Sequence, residues 1–160
     1  ARDLSNPPAV IASAAQGSTD DQQAMRSYYR DDIARIPEMK LCADQLWKNT
    51  GLGPADIQVA NIYDHFTPLF LPQLEEFGFC EKGEAKEFLR DGNIDMDGSL
   101  PTNTNGGQLG EAYIHGMNGI AEAVRQIRGT SVNQVKNVEN ALVTAGTSVP
   151  TSALILSQDN

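Results

Sequence analysis

Two tyrosines in this chain of 160 residues stand where a phenol could be tuned for chemistry. Tyr113 follows the polar, glycine-bearing stretch Asn103-Thr104-Asn105-Gly106-Gly107-Gln108-Leu109-Gly110-Glu111-Ala112, and Ile114-His115-Gly116-Met117-Asn118-Gly119 comes after it. A glycine pair such as Gly106-Gly107 lets backbone approach a ligand closely. Its N–H groups could hold an oxyanion. The apolar run beyond predicts a helix over 109–127, with Tyr113 in the first turn. A helix start offers free N–H groups and a partial positive charge, which favour a phenolate or an enolate oxygen. Tyr63 opens the second cluster, Tyr63-Asp64-His65-Phe66-Thr67-Pro68, at the expected end of a strand. A phenol titrates near about 10, so a phenolic base near neutrality needs a helix start, a hydrogen-bond donor or a cation beside it. His65 and His115 could donate to either phenol. Adjacent side chains on a strand end point apart. His65 therefore suits orienting Asp64 or a substrate. His115, two residues beyond Tyr113 on the expected helix, points away from it.

The rest of the chain must position these groups. Residues 7–15 read as a short buried strand bounded by Asn-Pro-Pro and Gln-Gly. Residues 17–32 are polar and hold Tyr28 and Tyr29, which suits a long loop or a short helix near a substrate entrance. Residues 37–49 form an amphipathic pattern with Met39, Cys42, Ala43, Leu46 and Trp47 on one face, Pro37 at the start and Gly51 at the end. A strand is expected over 56–63 and helices over 67–77 and 83–90. A turn-rich loop follows over 91–105, then strands over 138–144 and 152–157 paired antiparallel. Asn93-Ile94-Asp95-Met96-Asp97-Gly98 resembles the start of a calcium loop. Its twelfth position is Thr104 rather than glutamate, so it reads as a turn. The order predicts an α/β domain, a mixed sheet layered with helices.

Composition narrows the function classes. The net charge of −9 opposes a nucleic-acid partner, because phosphate binding needs a basic surface. No run is long and apolar enough to span a membrane. Cys42 and Cys80 are too few for a disulfide framework, and their spacing fits no common metal motif. They are expected as buried structural thiols of a cytoplasmic protein.

The stretch from Asn103 to Gly119 resembles the C-terminal signature of the thiolase superfamily, Asn-x-x-Gly-Gly-x-x-x-x-Gly-His-Pro-x-Gly. Asn103, Gly106, Gly107, Gly116 and Gly119 keep their places, while Ala112, Tyr113 and Ile114 replace Gly-His-Pro. Tyr63-Asp64-His65-Phe66 is similar to the family's Asn-Glu-Ala-Phe motif, with Tyr63 at the asparagine and Phe66 preserved. Alignment of the final strands puts Ala145 where the family has a late acid–base cysteine. The resemblance is nearest to the sterol carrier protein-x branch and its steroid side-chain-cleaving aldolases. It covers the whole chain, but only the second half of the usual protein. It implies that residues 1–16 finish an N-terminal half, that 17–36 connect, and that 37–160 form the C-terminal thiolase-like domain.

With the histidine and the late cysteine replaced, Claisen chemistry lacks two of its working groups. The resemblance then implies a retro-aldol reaction with Tyr63 and Tyr113 as the acid–base pair. Asp64, His65, Gly106 and Gly107 would support them or bind substrate. The residues leave open which tyrosine is base, and the helix start favours Tyr113. The implied substrate is a β-hydroxyacyl-CoA steroid, cleaved to a 17-ketosteroid and propionyl-CoA with no cofactor held in this chain. The implied partners are a second copy in a thiolase-type homodimer, the rest of the same protein, and an OB-fold protein carrying any zinc. Two other readings remain: a sterol carrier protein-x type thiolase, and a non-catalytic subunit that binds acyl-CoA or lipid.

Overall fold

The computed structural model describes residues 5–20, 31–32, 34–112, 114–146 and 151–159. Tyr28, Tyr29 and Tyr113 lie outside the described residues. Among the described residues, four strands form one mixed sheet, ordered β1-β4-β3-β2. They are β1 (Ala9–Gly17), β2 (Val59–Asn61), β3 (Asn140–Ala145) and β4 (Thr151–Gln158). The central pair β3–β4 and the pair β1–β4 are antiparallel, while β2 runs parallel to β3.

Helices cover both faces. Helix α1 (Pro37–Thr50) has proline in its first turn, where the missing N–H costs nothing. It ends on Gly51 at a φ of 73°, whose N–H bonds to the Trp47 carbonyl at 2.9 Å. Met39, Cys42, Ala43 and Leu46 are fully buried, the face that the heptad-like spacing marks. Helix α2 (Phe70–Glu76) follows a short 3-10 turn over Thr67–Leu69. Trp47 meets Phe77 edge to face at 6.0 Å, joining α1 to α2. Leu142, Ala153 and Ile155 point from the sheet into this side of the core. Helix α3 (Ala85–Arg90) packs on α2.

The opposite face carries α5 (Met117–Arg128), whose Ala123 and Ile127 meet Val59, Ala141, Val143 and Leu156. Alternation along β3 explains both cores, since Ala141 and Val143 face α5 while Leu142 faces α1. Gly119 lets α5 sit close, because a Cβ there would lie 3.3 Å from Asn61 and from Val143.

Three expectations change. The strand over 7–15 forms as β1, but it lies at the sheet edge with one side open, and Ile11 is 62% exposed. Its pairing with β4 ties residues 9–17 to the same sheet as the later strands. The strand over 56–63 shrinks to β2, because residues 54–56 take a 3-10 turn set by Pro54. The single helix over 109–127 is two pieces, a turn of helix α4 (Gly107–Gly110) and then α5. Residues 111, 112 and 114–116 are not helical. His115 and Gly116 have φ of 39° and 85°, left-handed values that a helix cannot contain.

The seating of α1 on β1 gives a test of the fold. A Cβ on Gly17 would lie 1.9 Å from the Glu38 carbonyl oxygen, a backbone atom that cannot swing aside. Gly17→Ala should therefore cost about 2 kcal/mol or more in unfolding free energy, as overpacking does. A melting temperature unchanged by this substitution would contradict the close seating.

Candidate active site

The parallel register of β2 on β3 builds the site. It pairs Asn61 with Val143, and Tyr63 follows two residues beyond the end of β2. Both chains leave the sheet at these strand ends, where ligands of open α/β sheets commonly bind. Tyr63 is 8% exposed. Its N–H donates to Thr144 Oγ1 at 2.9 Å, and its carbonyl accepts from Gln73 Nε2 at 2.8 Å. Thr144 Oγ1 closes the ring by donating to Gln73 Oε1 at 2.7 Å. Gln73 also donates to the Leu69 carbonyl at 2.8 Å. The backbone of Tyr63 is thus fixed from both sides by buried groups.

Gly116 lies between the ring of Tyr63 and Ala145. A Cβ at position 116 would meet Tyr63 Cε2 and Ala145 Cβ, each at 3.5 Å. Gly116, the strand end that carries Tyr63, and Ala145 at the end of β3 therefore converge at one place.

The glycine loop is bound to the same strand end. Asn103 Oδ1 accepts from the Ile62 N–H at 2.8 Å, and Asn103 Nδ2 donates to the Ile62 carbonyl at 2.9 Å. Asn103 reaches this position at a φ of 52°, which asparagine tolerates. Asp64 Oδ1 accepts from the Gln108 N–H at 2.7 Å. A Cβ on Gly107 would fall 2.1 Å from Asp64 Oδ2, and Gly107 has a φ of 67°. Glycine is required there both for the carboxylate and for the backbone.

This geometry revises two expectations. The Gly106 N–H donates to the Asn103 carbonyl at 2.8 Å and the Gly107 N–H to Asn105 Oδ1 at 3.1 Å. Both are taken up inside the loop, so the glycines shape the loop rather than present an oxyanion site. The broken stretch, described at residues 111, 112 and 114–116, puts the start of α5 at Met117, while Tyr113 itself lies outside the described residues. His115, expected on that helix, is not helical.

Asn118, which the sequence did not single out, holds that broken stretch. It is 6% exposed. Its Oδ1 accepts from the Ile114 N–H at 2.9 Å and its Nδ2 donates to the Ala112 carbonyl at 2.7 Å. Both neighbours of residue 113 are thereby strapped to the first turn of α5. Glu122 anchors the other end of the loop, accepting from Thr104 Oγ1 at 2.6 Å, from Ser131 Oγ at 2.6 Å and from Gln126 Nε2 at 3.1 Å. A buried carboxylate so surrounded is satisfied and stiffens what it joins. Gln73, Thr144 and Glu122 also carried no sequence signal, since their roles depend on partners far along the chain.

His65 packs on Tyr63 and on Phe66, with ring centroids 4.5 and 4.6 Å apart. Positions 63 and 65 share a side, as alternate residues of an extended chain do, and the adjacent His65 and Phe66 do not diverge because the chain has left the strand. Burial pushes the His65 imidazole below its usual value, against the opposing pull of Asp64. The thiols carry no activating environment: burial pushes Cys42 and Cys80 each up to about 11.

The sign of the His65 effect follows from its direction. The folded imidazole binds its proton less readily than the unfolded one. Its contribution to stability is whole above the unfolded value of about 6.5 and is lost as pH falls through the lower folded value. The thermal midpoint should therefore drop more on acidification in the wild type than in His65→Gln. Parallel pH profiles for the two proteins would contradict the burial.

A family model for the thiolase C-terminal domain-like fold matches residues 18–158. The chain is similar to the steroid side-chain-cleaving aldolase of Thermomonospora curvata, 67% identical over 99% of this chain and 41% of that protein. It is similar to the 17-hydroxy-3-oxo-4-pregnene-20-carboxyl-CoA lyase of Mycobacterium tuberculosis, 65% identical over 98% of this chain and 40% of that protein. The solved Ltp2-ChsH2(DUF35) aldolase superposes with a TM-score of 0.96 at 66% identity, over 99% of this chain and 42% of that one. The chain thus spans about two fifths of the length of the curated relatives it matches. With residues 18–158 matched, the glycine loop and strands β2, β3 and β4 among them, the chain belongs to the thiolase C-terminal domain-like family.

Proposed function

We propose that this chain is the C-terminal part of a thiolase-like aldolase that cleaves the side chain of a β-hydroxyacyl-CoA steroid. The observation that carries the proposal is the meeting of Tyr63 and Ala145 at Gly116. A thiolase would gather an asparagine, a cysteine and a histidine there. This chain supplies a phenol at position 63, a methyl group at 145 and a second phenol at 113. Neither an imidazole nor a thiol of this chain occupies the three positions. Two relatives of high identity are named as an aldolase and a CoA lyase, which supports the same chemistry.

In this reading one phenol, as phenolate, takes the proton of the β-hydroxyl. The carbon–carbon bond between the β- and α-carbons breaks, its electron pair passes to the α-carbon, and the hydroxyl carbon becomes a ketone. The thioester enolate so formed is protonated at the α-carbon by the other phenol. The products are a 17-ketosteroid and propionyl-CoA, and atoms balance without a cofactor or free CoA. Tyr63 and Tyr113 are the catalytic pair, Asp64, Gly106 and Gly107 hold the loop, and His65 braces the Tyr63 ring.

The proposal extends to the whole protein. Residues 37–160 form the C-terminal thiolase-like domain, residues 17–36 connect, and residues 1–16 lead in from an N-terminal half while lending β1 to the sheet. The complete enzyme pairs as a thiolase-type homodimer in the cytoplasm and binds an OB-fold partner, the subunit that would hold any zinc. The solved relative is itself named for two components, Ltp2 and ChsH2(DUF35).

In the complete enzyme, Tyr63→Phe and Tyr113→Phe should each lower kcat for carbon–carbon cleavage by about a hundred- to ten-thousand-fold. The double variant should lose little more than the worse single one, as groups acting as a unit do. Wild-type rates in both variants would show that the phenols only pack. Asn118→Leu should lower kcat by between about ten- and a hundred-fold through misplacement of residue 113, with KM little changed. An unchanged kcat would mean that the strap does not govern the loop.

A further inference from the structure

Asn61, the last residue of β2, is 2% exposed, and neither its Oδ1 nor its Nδ2 has a hydrogen-bond partner among the described residues. Gln108 Oε1, in α4, is buried and likewise without one. Carboxamides removed from water are seldom left so, because nothing offsets the lost hydration. The two residues line one small cavity, together with Tyr63, Asn103 and Thr144. Its volume is about 10 Å³, the least that admits a single water. Gly119 keeps the space open, since a Cβ there would press on Asn61 at 3.3 Å.

We propose that this cavity is a binding site for one ordered water, which bridges Asn61 and Gln108 against Tyr63. The lining holds no charged side chain, so it does not suit a metal ion, and it is too small for any larger molecule. A water accepts a hydrogen bond from Asn61 Nδ2 and donates one to Gln108 Oε1. Turning the Asn61 carboxamide over still leaves one of its polar atoms facing the water. The bridge joins the strand that delivers Tyr63 to the short helix that follows the glycine pair, where the two side chains make no bond of their own. The water belongs to the floor of the site whatever reaction takes place above it.

The test is a high-resolution crystal structure of the complete enzyme as wild type, Asn61→Leu and Gln108→Met, with magnetic relaxation dispersion counting long-lived waters in solution. The wild type should show one isolated oxygen within hydrogen-bond reach of Asn61 and Gln108. Asn61→Leu should lack it and lose one long-lived water from the count. Gln108→Met should weaken or lose the same peak. An empty cavity in the wild type, an ion in its place, or direct bonds from both carboxamides to other protein groups would overturn the proposal. Should Asn61→Leu fail to fold, the wild-type map and Gln108→Met decide the matter.

Discussion

The paired hydrogen bonds between the Asn103 side chain and the backbone of Ile62 hold the site together. They continue the strand β2 sideways, as a neighbouring strand would, just where the chain turns away from the sheet. Each such bond contributes about 1 kcal/mol net, and leaving a buried Ile62 group without its partner would cost about 1–3 kcal/mol. Everything near Tyr63 depends on this contact. It brings the glycine loop to the strand end, and Asp64 then caps Gln108 from the other side. Thr144 and Gln73 fix Tyr63 itself. The preserved Asn103, Gly106 and Gly107 thus serve geometry before chemistry.

Helix α5 sets the opposite wall. Its small residues let it press on β2 and β3, and its polar residues face the loops instead of the sheet. Asn118 holds residues 112 and 114, while Glu122 and Gln126 hold Thr104 and the segment near Asn133. Buried polar groups with full partners lock a single arrangement. In an acid–base site the proton positions must be held closely, and rigid supports of this kind do that. In the proposed function, the family's catalytic positions change type on this frame, from asparagine and cysteine to Tyr63 and Ala145.

Much of this was legible in the residues. Periodicity placed α1 and α2 because their apolar positions recur with the helical period and their ends carry proline and glycine. The antiparallel pair β3–β4 was legible from two apolar runs around a proline-bearing turn. The break at 111–116 was not, because Leu109, Ile114 and Met117 mimic a helical face. In the structure all three are exposed, and the signal that mattered was the glycine at 116. The motif resemblance singled out Tyr63 and Tyr113 as candidates, but no local pattern pointed to Gln73, Thr144 or Asn118. Their partners lie across the fold, so their roles exist only once the sheet has formed.

The central claim is that the reaction is an aldol cleavage performed by phenols on a thiolase frame. The most direct measurement follows carbon–carbon cleavage of a 17-hydroxy steroid side-chain CoA thioester by the wild-type complete enzyme with its partner, with and without added free CoA. The account predicts ketone and acyl-CoA at the same rate in both. Cleavage that appears only when free CoA is added would contradict it and make the protein a thiolase.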